Sequence, residues 1–172
     1  MKLIVAMGNP GEKYKITRHN AGFLFVDRLT GGAVFSSEKK METELYKNGN
    51  FIFIKPLTFM NEIGRAVRKV MDFYKLSIDD IVVVHDDLDL KIGEYKIQKG
   101  IGPKVHNGIL SIEQALGDKQ FLRVRLGVDN RGEERFGSGA DYVLSNMNEE
   151  ELETLEEVME EAGDELAVAL GL

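Results

Sequence analysis

Three histidines occur in this 172-residue chain, and each lies among carboxylates, amides or glycines. His19 stands between Arg18 and Asn20 in TRHN, His85 opens HDDLDL, and His106 precedes Asn107-Gly108. A neutral imidazole backed by a carboxylate is the usual general base at neutral pH. Asp86, Asp87 and Asp89 offer that carboxylate, which can orient a histidine ring and stabilise its charged form. The same acids can be solvated turn residues or caps, and a lone His19 can be an ordinary helix-terminal histidine. DDLD also raises a metal site, but its neighbours are mainly amides and no second cluster has metal spacing. Asn9, Asn61 and Asn107 both donate and accept hydrogen bonds. They suit recognition of a peptide backbone or a developing oxyanion. Each can equally be a turn residue or N-cap, and capping is the stronger reading for Asn61 and Asn107, which open helices. The two roles are compatible, because a helix start also binds anions. No Ser or Cys has a nucleophile context, and GxSxG, Walker and GxGxxG motifs are absent. Hydrolysis here would use water as the nucleophile.

The elements that position these residues alternate between strand and helix. KLIVAM (2–7) reads as a buried strand ending in the Gly8, Pro10, Gly11 cluster. Phe23, Val26 and Leu29 have helical spacing over 20–30, with Thr17 as a possible cap and Gly31-Gly32 as the stop. Residues 41–54 read as a hairpin turning at Asn48-Gly49. Ile63, Val67, Val70, Met71 and Tyr74 mark an amphipathic helix over 61–74. IVVVH (81–85) is a buried central strand with the acids just past its end. Residues 94–99 form an edge strand, 107–117 a short helix and 121–128 a further strand. A long final helix follows, with Asn148 as N-cap, Glu151 completing a capping box, and Gly163 as a point of bending. This alternation predicts a single α/β domain over 1–172 with a mixed sheet flanked by helices. Ligands should collect at the carboxyl ends of strands, in the loops after residues 7, 54, 85 and 100.

The bulk composition sets limits. At 43% hydrophobic and 30% charged residues, the chain is ordinary for a soluble globular protein. No run of eighteen apolar residues and no signal-peptide pattern is present, so no membrane partner is expected. The absence of cysteine excludes disulfide and thiolate chemistry and makes the cytoplasm the expected compartment. The net charge of −7 argues against a nucleic-acid partner until its distribution is considered. Residues 149–172 hold ten acidic side chains and no Lys or Arg, whereas the rest hold 19 acidic and 22 basic groups. The body of the chain is therefore mildly basic and compatible with phosphate.

Taken in order, GNPG-(x5)-TRHN (8–20), KPLTFMN (55–61), HDDLDL (85–90) and HNG (106–108) resemble the bacterial-type peptidyl-tRNA hydrolases. The similarity runs over about residues 2–128. It implies a monomeric α/β domain with a twisted mixed sheet and neither metal nor cofactor. It also implies cleavage of the ester between a peptide and the 3′-terminal ribose of tRNA, recycling tRNA from prematurely released peptidyl-tRNA. The partner would be engaged at its CCA end and acceptor stem. By this resemblance His19 is the catalytic base and Asp86 orients it. Asn9, Asn61 and Asn107, with Tyr14 and Phe59, bind the peptidyl part, and Asn61 also serves the oxyanion. Lys96 and Arg125 match phosphate-contacting positions; Lys104 is a further candidate that is not a family position.

The chain departs from the family where GxGGHNG is usual and GPKVHNG (102–108) stands instead. Lys104 and Val105 replace glycines and Pro103 stiffens the entry, so this loop should be less mobile or differently shaped. Asp129, Glu133 and Glu134 add negative charge near the expected path of the acceptor stem, and the chain ends on an acidic helix. Two other functions fit less well. One is a non-catalytic binder in RNA processing, the other a hydrolase of some other acylated amine or ester. Activity on N-blocked aminoacyl-tRNA separates them.

Overall fold

KLIVA forms β1 (Lys2–Ala6) at the middle of the sheet, in a computed structural model that describes residues 1–133 and 138–171. Leu3 and Val5 enter one core and Ile4 and Ala6 the other. That is the two-residue alternation of a strand covered on both faces. β4 (Phe51–Pro56) and β5 (Ile81–Lys91) run parallel to β1 on either side. Beyond β4 lie β3 (Thr43–Asn48) and β2 (Ser36–Glu38), each antiparallel to its neighbour. Beyond β5 lie β7 (Leu122–Asp129), parallel, and the edge strand β6 (Tyr95–Lys99), antiparallel. The order β2-β3-β4-β1-β5-β7-β6 makes the mixed seven-stranded sheet that the alternation predicts.

Helices α1 (Ala21–Leu29) and α5 (Glu149–Leu170) cover one face; α2 (Ile63–Tyr74) and α3 (Asn107–Leu116) cover the other. The short α4 (Gly139–Val143) lies between β7 and α5. The apolar stripe of α2 buries Ile63, Val67 and Val70 completely, each contributing about 1.5–3 kcal/mol. The α2–α3 contact is close because Gly64 has no side chain. A Cβ there would lie 2.1 Å from the carbonyl oxygen of Ser111.

Several local expectations need correction. β5 does not end at His85. It continues through the acids, with Asp86 opposite Leu126 and Asp87 opposite Gly127 before a bulge. The sequence reads as a turn there because isolated carboxylates avoid strands; these ones have cationic or imidazole partners. Thr17 does not cap a helix. Its hydroxyl donates to the Tyr14 carbonyl at 2.9 Å, and a 3₁₀ turn, Arg18–Asn20, precedes α1. The hairpin pairs Asn48 with Phe51, so its turn is Gly49-Asn50. Gly163 is buried within α5, which runs without a break to Leu170. β2 and α4 were not expected. Each has fewer than six residues, too short for a periodic pattern to register. The capping box at Asn148 and Glu151 is present as read.

Candidate active site

β1, β4 and β5 are parallel, so their carboxyl ends lie at one edge of the sheet. The chain leaving β1 passes Asn9 and returns through Arg18–Asn20 to enter α1. Asn20 sews the two passes together: its Oδ1 accepts the Asn9 backbone N–H at 2.9 Å and its Nδ2 donates to the Asn9 carbonyl at 3.0 Å. This turn delivers His19 to Asp86, with Nδ1 2.8 Å from Oδ2 and 2.9 Å from Oδ1. Facing a carboxylate, Nδ1 carries the proton, which leaves the Nε2 lone pair for another partner.

Asp86 holds a second imidazole. His106 Nε2 lies 2.9 Å from Asp86 Oδ1. His106 also stands at the N-cap of α3, where its Nδ1 accepts the backbone N–H groups of Gly108 and Ile109 at 3.1 and 3.3 Å. Amide donors require a lone pair on Nδ1, so the proton sits on Nε2 and points at Asp86. The cap of α3 is therefore His106, not Asn107, and Asn61 lies inside a 3₁₀ turn, Met60–Glu62, without capping it. Both asparagines are exposed, with their side chains left for other partners. Sequence reasoning missed His106; its place immediately before a predicted helix was the available signal.

The charges follow from this geometry. Burial alone would raise the Asp86 carboxyl, but two imidazoles hold it well below the usual carboxylate range. Burial works to lower the His19 pKa, yet the charge and hydrogen bond of Asp86 prevail and raise it above 6.5. His85 is fully buried, and burial together with neighbouring His106 lowers its pKa to about 3. It stays neutral, donating from Nδ1 to the Asp86 carbonyl at 2.7 Å and packing edge-on against the His106 ring.

His19, Asp86 and His106 present ligand atoms within 4.8 Å of one another. The donor set does not suit a cation. His106 Nε2 carries a proton rather than a lone pair, and both rings face the carboxylate as hydrogen-bond donors.

A cleft of about 600 Å³ opens over His19. Asn9, Asn61 and Asn107 line it with Tyr14 and Phe59. Asn9 is fixed, because its Oδ1 accepts the Met60 backbone N–H at 2.9 Å, leaving its amide NH₂ for a ligand. Tyr14 and Phe59 meet edge to face at 6.5 Å, and Phe59 is 55% exposed. Val105, Val143 and Leu144 add apolar wall.

The segment before His106 reaches the site by a longer route than a loop after a parallel strand. β6 is antiparallel, so Lys99 pairs with Leu122 at the amino edge of β7. The chain climbs back along β7, held by Arg123 bonding the Gly102 carbonyl and by Asp89 accepting the Lys104 backbone N–H at 2.8 Å. Arg125 lies directly beneath Gly102, where a Cβ would meet its guanidinium at 2.4 Å. Arg125 is not placed to contact phosphate: it is 6% exposed, and its Nε pairs with Asp87 at 2.8 Å while Nη1 donates to Gln98. It neutralises the carboxylate next to Asp86. Lys96 and Lys104 are exposed. Asp129 pairs with Arg131 and Glu133 is exposed, while Glu134 lies outside the described residues.

The model of the family described as peptidyl-tRNA hydrolase matches residues 3–171. A peptidyl-tRNA hydrolase from Citrifermentans bemidjiense is 41% identical over 174 residues, spanning 98% of this chain and 91% of its own. One from Sulfurovum is 42% identical over 161 residues, spanning 92% and 84%. The crystal structure of peptidyl-tRNA hydrolase from Acinetobacter baumannii superimposes with a TM-score of 0.86 at 29% identity, over 95% of this chain and 85% of that one.

Proposed function

The chain belongs to the peptidyl-tRNA hydrolase family, enzymes that release tRNA from peptidyl-tRNA, and on that premise we propose that His19 is its general base. One observation carries the reading: the Asp86 carboxylate sits 2.8 Å from Nδ1 of His19, a residue that lines the cleft, so Nε2 is the basic nitrogen. Asp86 fixes the ring and its tautomer. Nε2 takes a proton from water, the water attacks the ester carbonyl, and the ribose oxygen leaves with tRNA. The imidazolium that forms is stabilised by the Asp86 charge.

The exposed amide of Asn61 donates to the developing oxyanion. Asn9 and Asn107 hydrogen-bond the peptide backbone, and Tyr14 and Phe59 cover it. The CCA end enters the cleft while the acceptor stem lies against Lys96 and Lys104. The enzyme acts as a monomeric cytoplasmic domain over 1–172 and needs no cofactor. Among the described residues no helix is long and apolar enough to cross a membrane.

Neutral amides that read a peptide bond should favour an acylated amine over a charged one. Incubation with N-acetyl-aminoacyl-tRNA and with the free-amine form, followed by tRNA release, tests this. Release from the blocked form, with little from the free amine, is expected. No release from the blocked form would point to an RNA binder instead.

A further inference from the structure

Arg18 immediately precedes His19, and Nη2 of its buried guanidinium donates to both carboxylate oxygens of Glu151, at 2.8 Å to Oε1 and 2.6 Å to Oε2. Both side chains are at most 7% exposed. The other end of the guanidinium donates to the Ser145 hydroxyl at 2.5 Å and to the Ser145 carbonyl at 3.2 Å, while its plane lies over the Tyr142 ring at 4.0 Å. Glu151 is itself held at the start of α5 by the capping box with Asn148. The backbones join as well: Arg18 N–H bonds the Ser145 carbonyl, Met147 N–H bonds the Ile16 carbonyl, and Thr17 pairs with Asn146. Neither Arg18 nor Glu151 lines the cleft.

A buried ion pair is weak evidence for stability, because desolvation of both charges offsets most of their attraction. It is better evidence for fixed geometry: an arginine held by Glu151 at one terminal nitrogen and by Ser145 at the other, and stacked on Tyr142, can adopt few alternative positions. What it fixes here is the 3₁₀ turn that contains the base, against the segment that contributes Val143 and Leu144 to the cleft.

We propose that Arg18 and Glu151 are positioning residues that lock the His19 turn to the start of α5, so that Nε2 keeps its aim at the attacking water. The proposal rests on His19 being the base. It assigns a role in the reaction to one carboxylate of the acidic C-terminal helix, at a distance from the reacting atoms.

The test is a double-mutant cycle in single-turnover hydrolysis of N-acetyl-aminoacyl-tRNA, with Glu151→Gln and His19→Gln alone and combined. Misplacing a catalytic group by about an ångström costs up to ~100-fold, so Glu151→Gln is expected to lower kcat by about 10- to 100-fold with KM changed less than about twofold. In the His19→Gln background the same change should lower kcat by less than about twofold, because nothing is left to aim. Equal losses in both backgrounds would overturn the positioning role while leaving His19 as base. A His19→Gln enzyme with near-normal turnover would instead overturn the base reading. The neutral pair Arg18→Met with Glu151→Leu guards against misfolding, since apolar replacement of a buried pair often preserves stability. Its thermal midpoint should stay near that of the parent while kcat remains low; recovery of kcat along with stability would reduce the pair to a structural prop.

Discussion

Asp86 serves two imidazoles with one carboxylate, and the backbone decides which of them can act as a base. The α3 amides occupy His106 Nδ1, so its remaining nitrogen donates to Asp86. Among the described residues His19 has no such amide partner, and its Nε2 lone pair is retained. The pH dependence follows. The His19 pKa lies above 6.5, so kcat/KM should rise as pH climbs through that raised value and the ring loses its proton. Asp86→Asn removes the charge that raises the pKa and keeps the burial that lowers it. The acid limb should then move to lower pH as the maximal rate falls, which a pH profile of kcat/KM for both proteins would check; an unmoved limb would contradict the coupling. Much of this was legible in the sequence. Three histidines confined to polar segments, and asparagines at the starts of elements, mark a site by residue type. Partnership was not legible. Nothing in HDDLDL says that Asp86 faces imidazoles while Asp87 faces Arg125, because the alternation of a strand past its apolar run is invisible once acids fill it.

At the scale of elements, the site depends on two close approaches. Gly108 lies in the first turn of α3, where a Cβ would lie 2.2 Å from the Met7 methyl and 2.6 Å from the Met60 sulfur. Gly64 allows α2 to seat against Ser111, and its N–H donates to the Ser111 hydroxyl at 2.9 Å. Gly64→Ala forces the helices apart and should cost roughly 1–3 kcal/mol by overpacking. Urea denaturation would register this as a lower midpoint at unchanged slope; an unshifted midpoint would contradict the contact. Periodicity found α1, α2 and α5 because each packs an apolar stripe on the sheet. It could not find the route of residues 100–106. That route is set by β6 running antiparallel at the edge, a tertiary fact with no local signature. The Lys104 and Val105 replacements read as making this loop less mobile or differently shaped; in the structure it is tied by hydrogen bonds from Arg123 and to Asp89.

For the whole molecule, charge is divided between a mildly basic body and an acidic last helix. The acids of α5 are not all solvent decoration. Glu151 is buried against Arg18, and Glu156 and Glu160 pair with Arg28. With Arg125 committed to Asp87, the proposed phosphate contacts fall to the exposed lysines Lys96 and Lys104. Lys96→Ala should reduce the slope of log K against log salt by about 0.7–0.9, the share of one released counterion. Measuring tRNA affinity at several salt concentrations gives that slope, and an unchanged value would remove Lys96 from the interface. The central claim is that His19 activates the water, and single-turnover hydrolysis of N-acetyl-aminoacyl-tRNA by His19→Ala tests it most directly. General-base assistance contributes ~10²–10⁴-fold, so the expected result is a rate lower by that factor, about 3–5 kcal/mol of barrier, with tRNA affinity retained. Turnover near that of the parent enzyme would contradict it.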